Sequence, residues 1–373
     1  MITAPLRFLR AHALPAVSLS AAALSFILTP PSMGTLKAID FKTLNLLFCL
    51  MTVLAGLRSC NLFQVLAHTL LGQCATLRGM AHTLVGLTFF LAMLVTNDVA
   101  LLALVPFSVY VCTLHRQRTH LPVLIILQAL AANLGSLVTP IGNPQNLYLY
   151  TAQAIPTAAF FAVTVPIALT GCAVLIPLTH RLPTAPLSPQ RGIDVRITHP
   201  KRAIACGILF GLCLLSVFRL LPGLWLFAAV TGTALVGFPK ILRKVDCGLL
   251  GTFVGFFVFS YNIGCWPPLE ETLSALCDQA PMATAILTSQ VLSNVPAAIL
   301  LSPFTDNWAH LLLGVDIGGF GTPIASLASL IALNLWFREP ESRPLRMLGL
   351  FLLHNLLMLF VLLGACAILF GKH

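Results

Sequence analysis

Long hydrophobic runs, separated by short polar segments, make up most of the chain. A helix needs about 20 apolar residues to cross a hydrocarbon core about 30 Å thick. By that measure the pattern predicts membrane-spanning helices at residues 13–28, 41–57, 156–178, 203–218, 224–238, 249–263 and 347–370. The amphipathic segment 58–78 is predicted to lie at the membrane surface.

Two further apolar segments carry polar residues at their middle and predict re-entrant hairpins. Residues 81–114 surround the triplet Thr96-Asn97-Asp98. As one helix this segment would be about 51 Å long, which exceeds the bilayer, so we expect the chain to turn back at the triplet. A second, shorter hairpin is predicted from arms 282–292 and 297–304 around Ser293-Asn294-Val295-Pro296.

Segments 121–150 and 311–336 are predicted to be broken helices. Residues 133–146 read Asn-Leu-Gly-Ser-Leu-Val-Thr-Pro-Ile-Gly-Asn-Pro-Gln-Asn, and residues 316–329 read Asp-Ile-Gly-Gly-Phe-Gly-Thr-Pro-Ile-Ala-Ser-Leu-Ala-Ser. Proline lacks the backbone donor of a helix, and freed carbonyls are tolerated at membrane depth only inside protein or beside a cavity. We therefore interpret the glycines of both stretches as sites of unwinding.

The two halves of the chain repeat these features in the same order. The aligned pairs are Gly135 with Gly318, Thr139 with Thr322, Pro140 with Pro323, Thr96-Asn97 with Ser293-Asn294, and Asp40 with Asp246. Paired interruptions of this kind indicate the binding site of a secondary transporter. One extra crossing separates the units, so the second is predicted to be inverted. The predicted divisions are a first unit 1–180, a cytoplasmic loop 181–202, an extra span 203–222 and a second unit 223–373.

Composition places the chain among polytopic membrane proteins. Hydrophobic residues make up 58% and charged residues 9%, against about a quarter charged in soluble domains. The net charge of +10 comes from short basic clusters between apolar runs, a pattern of membrane orientation that argues against nucleic-acid binding. Most of the basic residues fall on one side if the N-terminus is cytoplasmic and the C-terminus periplasmic, which predicts an inner-membrane protein of that orientation.

Small polar groups at the tips and breaks are the candidate binding residues. Helix N-termini suit an anion, whereas carbonyl, hydroxyl and amide oxygens suit a cation. No basic residue lies in a predicted tip or break, so an anionic substrate would depend on helix dipoles and a co-bound cation. The predicted residues are Thr96, Asn97, Asp98, Asn133, Gly135, Thr139, Pro140, Gly142, Asn143, Asn146, Ser293, Asn294, Pro296, Asp316, Gly319, Thr322, Pro323, Ser326 and Ser329. A sodium ion is assigned to Thr96, Asn97, Asp98 and Asn143, and no other cofactor is predicted.

Two carboxylates are predicted to lie at membrane depth. An ionisable group there is costly and by default functional, so Asp98 is a candidate for proton coupling or cation binding. Its alternative role is to cap the second hairpin arm, because Asp is a preferred N-cap residue. Asp316 aligns with Asn133, and both a structural hydrogen-bonding role and a coupling role stay open for it.

These motifs resemble the ion transporter superfamily, specifically the arsenite-permease and NhaD-type branch with its bacterial inner-membrane, citrate-transporter-like anion permeases. The resemblance rests on Thr96-Asn97-Asp98-Val-Ala, the stretch 133–146, Ser289-Gln-Val-Leu-Ser-Asn-Val-Pro-Ala297 and Gly318-Gly-Phe-Gly-Thr322. It implies an all-α fold of two inverted repeats, each with a re-entrant hairpin and a discontinuous transmembrane helix. It further implies a homodimer in which a transport domain moves elevator-fashion against a scaffold.

The motifs depart from the family pattern in two places. Sodium-coupled dicarboxylate members carry Ser-Asn-Thr at both tips, whereas here Asp98 and Val295 replace the third hydroxyl, which favours protons over two sodium ions. The arsenite-type break commonly reads Gly-Asp-Pro-Pro-Asn, and residues 142–146 read Gly-Asn-Pro-Gln-Asn, which counts against arsenite efflux.

The sequence therefore predicts a proton- or Na+-coupled secondary transporter of a small anion. Arsenite efflux and Na+/H+ antiport are the rival functions among transporters, and an anion channel is a more distant one. An intramembrane enzyme is not supported, because no His or Cys lies in either predicted tip or break.

Overall fold

The structure is a computed structural model that describes residues 15–72, 74–187, 196–339 and 343–370. Parts of the first predicted span, of the loop 181–202 and of the C-terminus lie outside the described residues. The α-helices are α1 (Pro15–Ser25), α2 (Met33–Lys37), α3 (Phe41–Ser59), α4 (Leu62–Leu71), α5 (Leu77–Val95), α6 (Asn97–Leu114), α7 (Leu121–Leu137), α8 (Pro144–Ala152), α9 (Thr157–His180), α10 (Pro200–Val217), α11 (Gly223–Gly237), α12 (Cys247–Gly264), α13 (Pro267–Gln279), α14 (Pro281–Leu292), α15 (Asn294–Leu301), α16 (Trp308–Ile317), α17 (Leu327–Trp336) and α18 (Pro344–Phe370).

Within these described ranges the protein is helical and forms no β-strand. Eight helical segments are long and apolar enough to cross a membrane. The prediction of an all-α polytopic membrane protein is therefore confirmed. Helix α13 is an element that the hydrophobic pattern missed, because it is short and carries Glu270, Glu271 and Asp278.

The first hairpin is present, with longer arms than predicted. Helices α5 and α6 have 19 and 18 residues and meet at Thr96, so each arm is about 28 Å long and reaches the length of a full span. Helix α5 begins before residue 81 because the Thr76 side chain accepts a hydrogen bond from the backbone N–H of Gly79 and caps it.

The second hairpin has the shorter arms that the sequence predicted. Helices α14 and α15 have 12 and 8 residues and meet at Ser293. Pro296 was predicted at the tip but lies in the first turn of α15, where proline is tolerated because no intrahelical donor is needed.

Both hairpins turn on one residue with the same backbone geometry. Thr96 has φ 76° and ψ 148°, and Ser293 has φ 79° and ψ 157°. Positive φ is uncommon for any residue with a side chain and is a strained conformation for β-branched threonine. A strained residue persists only when the surrounding structure holds it in place. Residues of this kind concentrate at ligand sites and switch regions.

Both predicted broken helices are broken, over shorter stretches than predicted. The gap between α7 and α8 covers residues 138–143, and that between α16 and α17 covers residues 318–326. Asn133, Gly135, Asn146, Asp316 and Ser329 consequently lie inside helical turns that flank the breaks.

Gly135 packs closely instead of unwinding its helix, which corrects the prediction. It lies within α7, and a Cβ atom there would overlap the backbone carbonyl of Phe89 on α5. Gly321 does meet the unwinding interpretation, because it has φ 114° inside the second break.

Gly135→Ala is expected to lower the melting temperature, because the backbone of α5 must move to admit the new methyl group. Overpacking of this kind costs about 1–3 kcal/mol. Gly86→Ala on α5 is the matched control, since no atom lies within 4 Å of a Cβ at that position. Thermal unfolding of both purified variants in detergent checks the prediction, and equal melting temperatures would contradict the close packing.

The helices form two groups that pack within themselves. Helices α5, α6, α7 and α9 pack together and against α16, α17 and α18, and α8, α14 and α15 also pack against α16, while α3, α10 and α11 form a second cluster. Helices α8 and α6 of the first group contact α3 of the second. The tips and breaks therefore lie at the boundary between the two groups.

Candidate functional site

Each hairpin tip is bonded to the neighbouring break by its backbone. The N–H of Asn97 donates to the carbonyl of Gly142 (3.2 Å), and the N–H of Asn294 donates to the carbonyl of Ala325 (3.0 Å). These bonds satisfy carbonyls that the breaks would otherwise leave free. They also join positions that the sequence comparison aligned, while the opposed orientation of the two units stays a prediction.

The two aligned threonines hold the same tips from the other side. The Thr139 hydroxyl donates to the carbonyl of Met93, and the Thr322 hydroxyl donates to the carbonyl of Gln290 (3.0 Å). Each acceptor lies three residues before its hairpin turn. The threonine protons are therefore used to attach the hairpins to the breaks.

Asn133 links the first broken helix to the second. Its side-chain oxygen accepts hydrogen bonds from the Ser326 hydroxyl (3.0 Å) and the Asn97 amide (3.4 Å), and its amide donates to the Gly319 carbonyl (3.5 Å). Asn133 is 5% exposed. This buried network joins one tip and both breaks.

Asp316 makes the reciprocal link from the second half to the first. Its Oδ1 accepts a hydrogen bond from the Gln145 amide (3.1 Å), and the carboxamides of Asn143 and Asn146 lie beside the same carboxylate. Asp316 is 4% exposed and has no ion-pair partner among the described residues. A buried carboxylate without a counter-charge is costly, so it is expected to hold a proton or a cation.

Asn146 restores hydrogen bonds where α7 ends. Its amide group donates to the carbonyls of Ser136 (3.3 Å), Leu137 (3.4 Å) and Thr139 (3.4 Å). Carbonyls in the last turn of a helix have no intrahelical partner. The Asn146 amide thus acts as a C-terminal cap, which orients its oxygen away from α7.

Several buried oxygen atoms at the tips and breaks have no hydrogen-bond partner among the described residues. They are Asp98 Oδ1, Asn143 Oδ1, Asn146 Oδ1, Asp316 Oδ2 and Ser329 Oγ. Buried polar atoms are nearly always paired, so unpaired ones require an explanation. Oxygen acceptors concentrated in this way are suited to a proton or a small hard cation.

Asp98 does not cap the second hairpin arm. Thr96 occupies the cap position of α6, and the backbone N–H of Asp98 donates to the Asn97 side chain (2.8 Å). The capping role considered for the Asp98 carboxylate is therefore wrong. The carboxylate still lies in the first turn, where the helix dipole favours negative charge.

Two cavities converge on Asp98. The larger has a volume of about 670 Å³ and the smaller about 590 Å³, and Asp98, Asp246 and Leu249 line both. The Asp98 and Asp246 carboxylates lie close enough to interact electrostatically. The two carboxylates therefore form an acidic pair at the point that the cavities share.

The predicted residues divide into two sets. Those lining a cavity are Thr96, Asp98 and Asn143 in the larger and Asp98, Ser293, Pro296 and Pro323 in the smaller. The remaining residues lie outside both linings, most of them in the buried hydrogen-bond network behind the tips: Asn97, Asn133, Gly135, Thr139, Pro140, Gly142, Asn146, Asn294, Asp316, Gly319, Thr322, Ser326 and Ser329.

Sequence reasoning missed the glutamine that shapes the second break. The Gln290 amide donates to the carbonyls of Gly318 (2.7 Å) and Phe320 (3.0 Å), and its oxygen accepts from the Thr322 N–H (2.8 Å). Its place three residues before the Ser293 tip was the available signal.

Three charged residues of the larger cavity were also missed as site residues. Arg58, Lys244 and Asp246 line it beside Asp98. Arg58 lies in the segment that the sequence assigned to the membrane surface, Lys244 lies between the predicted spans 224–238 and 249–263, and Asp246 appeared only as a repeat position. Only the folded chain brings them to the first hairpin tip.

Comparisons with known proteins agree with this architecture. A family model described as citrate transporter (CitMHS) matches residues 8–333. An uncharacterised transporter of Methanocaldococcus jannaschii is 33% identical over 312 residues, covering 81% of this chain and 83% of that protein. The inner membrane protein YbiR of Escherichia coli is 34% identical over 305 residues, covering 80% of each chain.

A partial likeness extends to a plant protein. A silicon efflux transporter of Oryza sativa is 34% identical over 139 residues, which cover 37% of this chain and 28% of that protein. The match to the family model spans most of the chain. The protein is therefore a membrane transporter that belongs to the citrate transporter family, CitMHS.

Proposed function

We propose that this protein is a secondary active transporter that moves a small anion across the inner membrane by alternating access, coupled to protons or Na+. The observation that carries the proposal is a cavity of about 670 Å³ that runs along α3 from Arg58 to the first hairpin tip, while the other end of α3 is bonded to α8. Saturable, coupled transport requires access from one side at a time, whereas an open channel does not.

The larger cavity follows one side of α3. Its lining includes Leu47, Leu50, Leu54 and Arg58, so it extends along about 16 Å of the helix. Thr96, Asp98 and Asn143 also line it. With the N-terminus cytoplasmic, the Arg58 end faces the cytoplasm.

The opposite end of α3 is joined to α8 by a hydrogen bond, and Arg219 bonds to the end of α8. The Thr43 and Thr151 hydroxyls are 2.6 Å apart. The Arg219 guanidinium donates to the carbonyls of Tyr150 (2.9 Å) and Ile155 (3.0 Å) at and just beyond the last turn of α8. These contacts join the two helix groups at the predicted periplasmic end.

The two helix groups support an elevator-type movement. The cluster of α3, α10 and α11 would be the scaffold, and the group that contains both hairpins and both breaks would be the moving part. The contacts of Thr43 and Arg219 with the α8 segment cross the boundary between them, so they must break when the site opens to the opposite side. We further propose a homodimer, which native mass spectrometry can test.

Asp98 is the proposed coupling residue. Its buried Oδ1 is unpaired among the described residues, and the Thr96 hydroxyl and Asn143 carboxamide line the same cavity, which is a donor set suited to Na+ or to a proton. Asn97 contributes less than predicted to a sodium site, because its side-chain oxygen accepts from the Asp98 N–H.

The family description favours a carboxylate anion such as citrate. Efflux of a metalloid oxyacid, as arsenite efflux would be, is a second candidate, because a silicon efflux transporter shares 139 aligned residues with this chain. A Na+/H+ antiporter would exchange cations without anion flux. A channel would let the anion flow only down its own gradient. Both differ in this way from coupled anion transport.

Uptake into proteoliposomes tests the proposal. Purified protein is reconstituted, and uptake of citrate, succinate, sulfate, phosphate and arsenite is measured under an imposed proton or Na+ gradient, with empty liposomes as control. Saturable uptake that a gradient drives above equilibrium is expected. Flux that does not saturate and only dissipates the anion gradient would indicate a channel, and cation exchange without anion flux would indicate an antiporter.

A further inference from the structure

We propose that Arg58 and Lys244 form an anion-binding pair at the entrance of the larger cavity and select small anions with two or more negative charges. The proposal rests on the proposed function, since it names the substrate class for the same cavity. It differs from the sequence-based expectation that an anionic substrate would depend on helix dipoles and a co-bound cation.

The pair comes from two separate segments of the chain. Arg58 lies in the last turn of α3, and Lys244 ends the 3₁₀ segment Pro239–Lys244 that packs against α3. Both side chains are exposed and line the cavity. Two basic groups from distant parts of the chain therefore line the same cavity.

The side chains of Arg58 and Lys244 form no hydrogen bond or ion pair among the described residues, although Asp98 and Asp246 line the same cavity. The ion pair found in this part of the chain joins Arg118 to Glu339. A guanidinium with its donors free can bind a carboxylate or an oxyanion in a bidentate manner, and an ammonium adds a second positive charge.

Both basic and acidic side chains line the cavity. Arg58, Lys244, Asp98 and Asp246 are the charged residues among its described lining. The acidic pair repels an anion unless a proton or cation neutralises it. An anion bound to the basic pair would therefore move to the tip only after Asp98 is occupied, which couples the two fluxes.

The volume fits such a ligand. Sites for small molecules usually occupy about 300–1,000 Å³, and the larger cavity has about 670 Å³. Asn61, Gln64 and Ser59 add neutral polar groups to the wall near Arg58. These groups can bind further oxygen atoms of a small polyanion.

Both residues also have a simpler interpretation. A basic residue in the last turn of a helix is stabilised by the helix dipole, and basic residues next to spans orient the chain in the membrane. Arg243 shares these properties, because it is exposed and precedes Lys244 in the same 3₁₀ segment, yet it does not line the cavity. It is therefore the matched control.

The test compares wild type with Arg58→Gln, Lys244→Gln, the double variant, Arg58→Lys and Arg243→Gln. Uptake kinetics are measured in proteoliposomes with citrate, succinate, sulfate and phosphate, and thermal stabilisation of the purified proteins by the same anions is measured in parallel. We expect each single Gln variant to raise KM about tenfold, as for loss of one charge-assisted contact, with kcat changed less than KM. Arg58→Lys should recover part of the loss, and Arg243→Gln should behave as wild type.

The results separate anion binding by Arg58 and Lys244 from coupled anion transport. If wild type transports an anion and the double variant has the same uptake kinetics as Arg243→Gln, the assignment of anion binding to Arg58 and Lys244 is wrong and the transport function stands. If wild type shows no coupled flux but anions stabilise it and not the double variant, the pair stands and the transport function fails. If no anion of the panel stabilises the wild-type protein or is taken up by wild-type proteoliposomes, both the anion-binding pair and the transport function are overturned. A fall in kcat at unchanged KM would also overturn the pair.

Discussion

Asp98→Asn is expected to lower gradient-driven anion uptake by about 100-fold and to leave the protein folded. The carboxylate lies at the point that both cavities share, and its buried Oδ1 has no hydrogen-bond partner among the described residues. Removing its charge removes the site for the coupling proton or cation. A coupling free energy of about 1–3 kcal/mol corresponds to about 5–150-fold in the driven process.

The fold should tolerate this change because the Asp98 carboxylate caps nothing. Thr96 holds the cap position of α6, and the hydrogen bond at Asp98 uses its backbone N–H. Asparagine has nearly the same shape and carries no charge that must be buried. The melting temperature of the variant should therefore stay close to that of wild type.

Exchange between internal and external anion separates coupling from binding. Such exchange does not require net movement of the coupling ion, so Asp98→Asn should keep part of it while losing concentrative uptake. Asp278→Asn, an exposed residue of α13 outside both cavity linings, is the control. If Asp98→Asn retained uptake with the wild-type dependence on pH and Na+, the assignment of coupling to Asp98 would be wrong.

The hydrophobic pattern predicted much of the fold because membrane helices must satisfy their own backbone. Polar residues in the middle of an apolar segment, or prolines after a glycine, leave few structures besides a turn or a break. Thr96 and Ser293 accordingly form the turns, and residues 138–143 and 318–326 form the breaks. The predicted lengths of the hairpin arms and breaks were less accurate. Caps such as Thr76 and close contacts such as that of Gly135 with Phe89 depend on other parts of the fold.

The sequence predicted only those residues of the candidate site that stand out from their immediate neighbours in the chain. Residues at the tips and breaks were found because their chemistry interrupts a hydrophobic run. Arg58 and Lys244 do not interrupt a hydrophobic run, and basic residues next to a span are common, so they gave no signal of a binding site. Their significance comes from long-range packing of α3 against the segment before α12, which no local pattern reports. Gln290 was missed although it lies three residues before the Ser293 tip, because its acceptors, the carbonyls of Gly318 and Phe320, are distant in sequence.

Asp316→Asn and Asp316→Leu together are expected to decide between the two roles left open for this carboxylate. We expect Asp316→Asn to fold with little loss of stability and to lower coupled uptake at least about tenfold. Asparagine still offers an oxygen to the Gln145 amide, so the hydrogen bond at Oδ1 can persist. It cannot hold a proton or a cation as a carboxylate does.

Asp316→Leu should in addition lower the free energy of unfolding by about 1–3 kcal/mol, because it leaves the Gln145 donor buried without a partner. Asn133→Leu is the matched control, since Asn133 is the aligned, uncharged residue that links the same two breaks. Thermal unfolding with and without Na+ and uptake into proteoliposomes are measured for all three variants.

The pattern of losses identifies the role of Asp316. If it only holds the breaks together, Asp316→Asn should transport as wild type, and Asp316→Leu should resemble Asn133→Leu in both measurements. If it is a second coupling site, Asp316→Asn should lose uptake at nearly wild-type stability. We expect the second pattern, because Asp316 Oδ2 is buried and unpaired among the described residues, and the neighbouring Gln145, Asn143 and Asn146 supply no positive charge. A purely structural link would be made more cheaply by an amide, as Asn133 makes it in the first half.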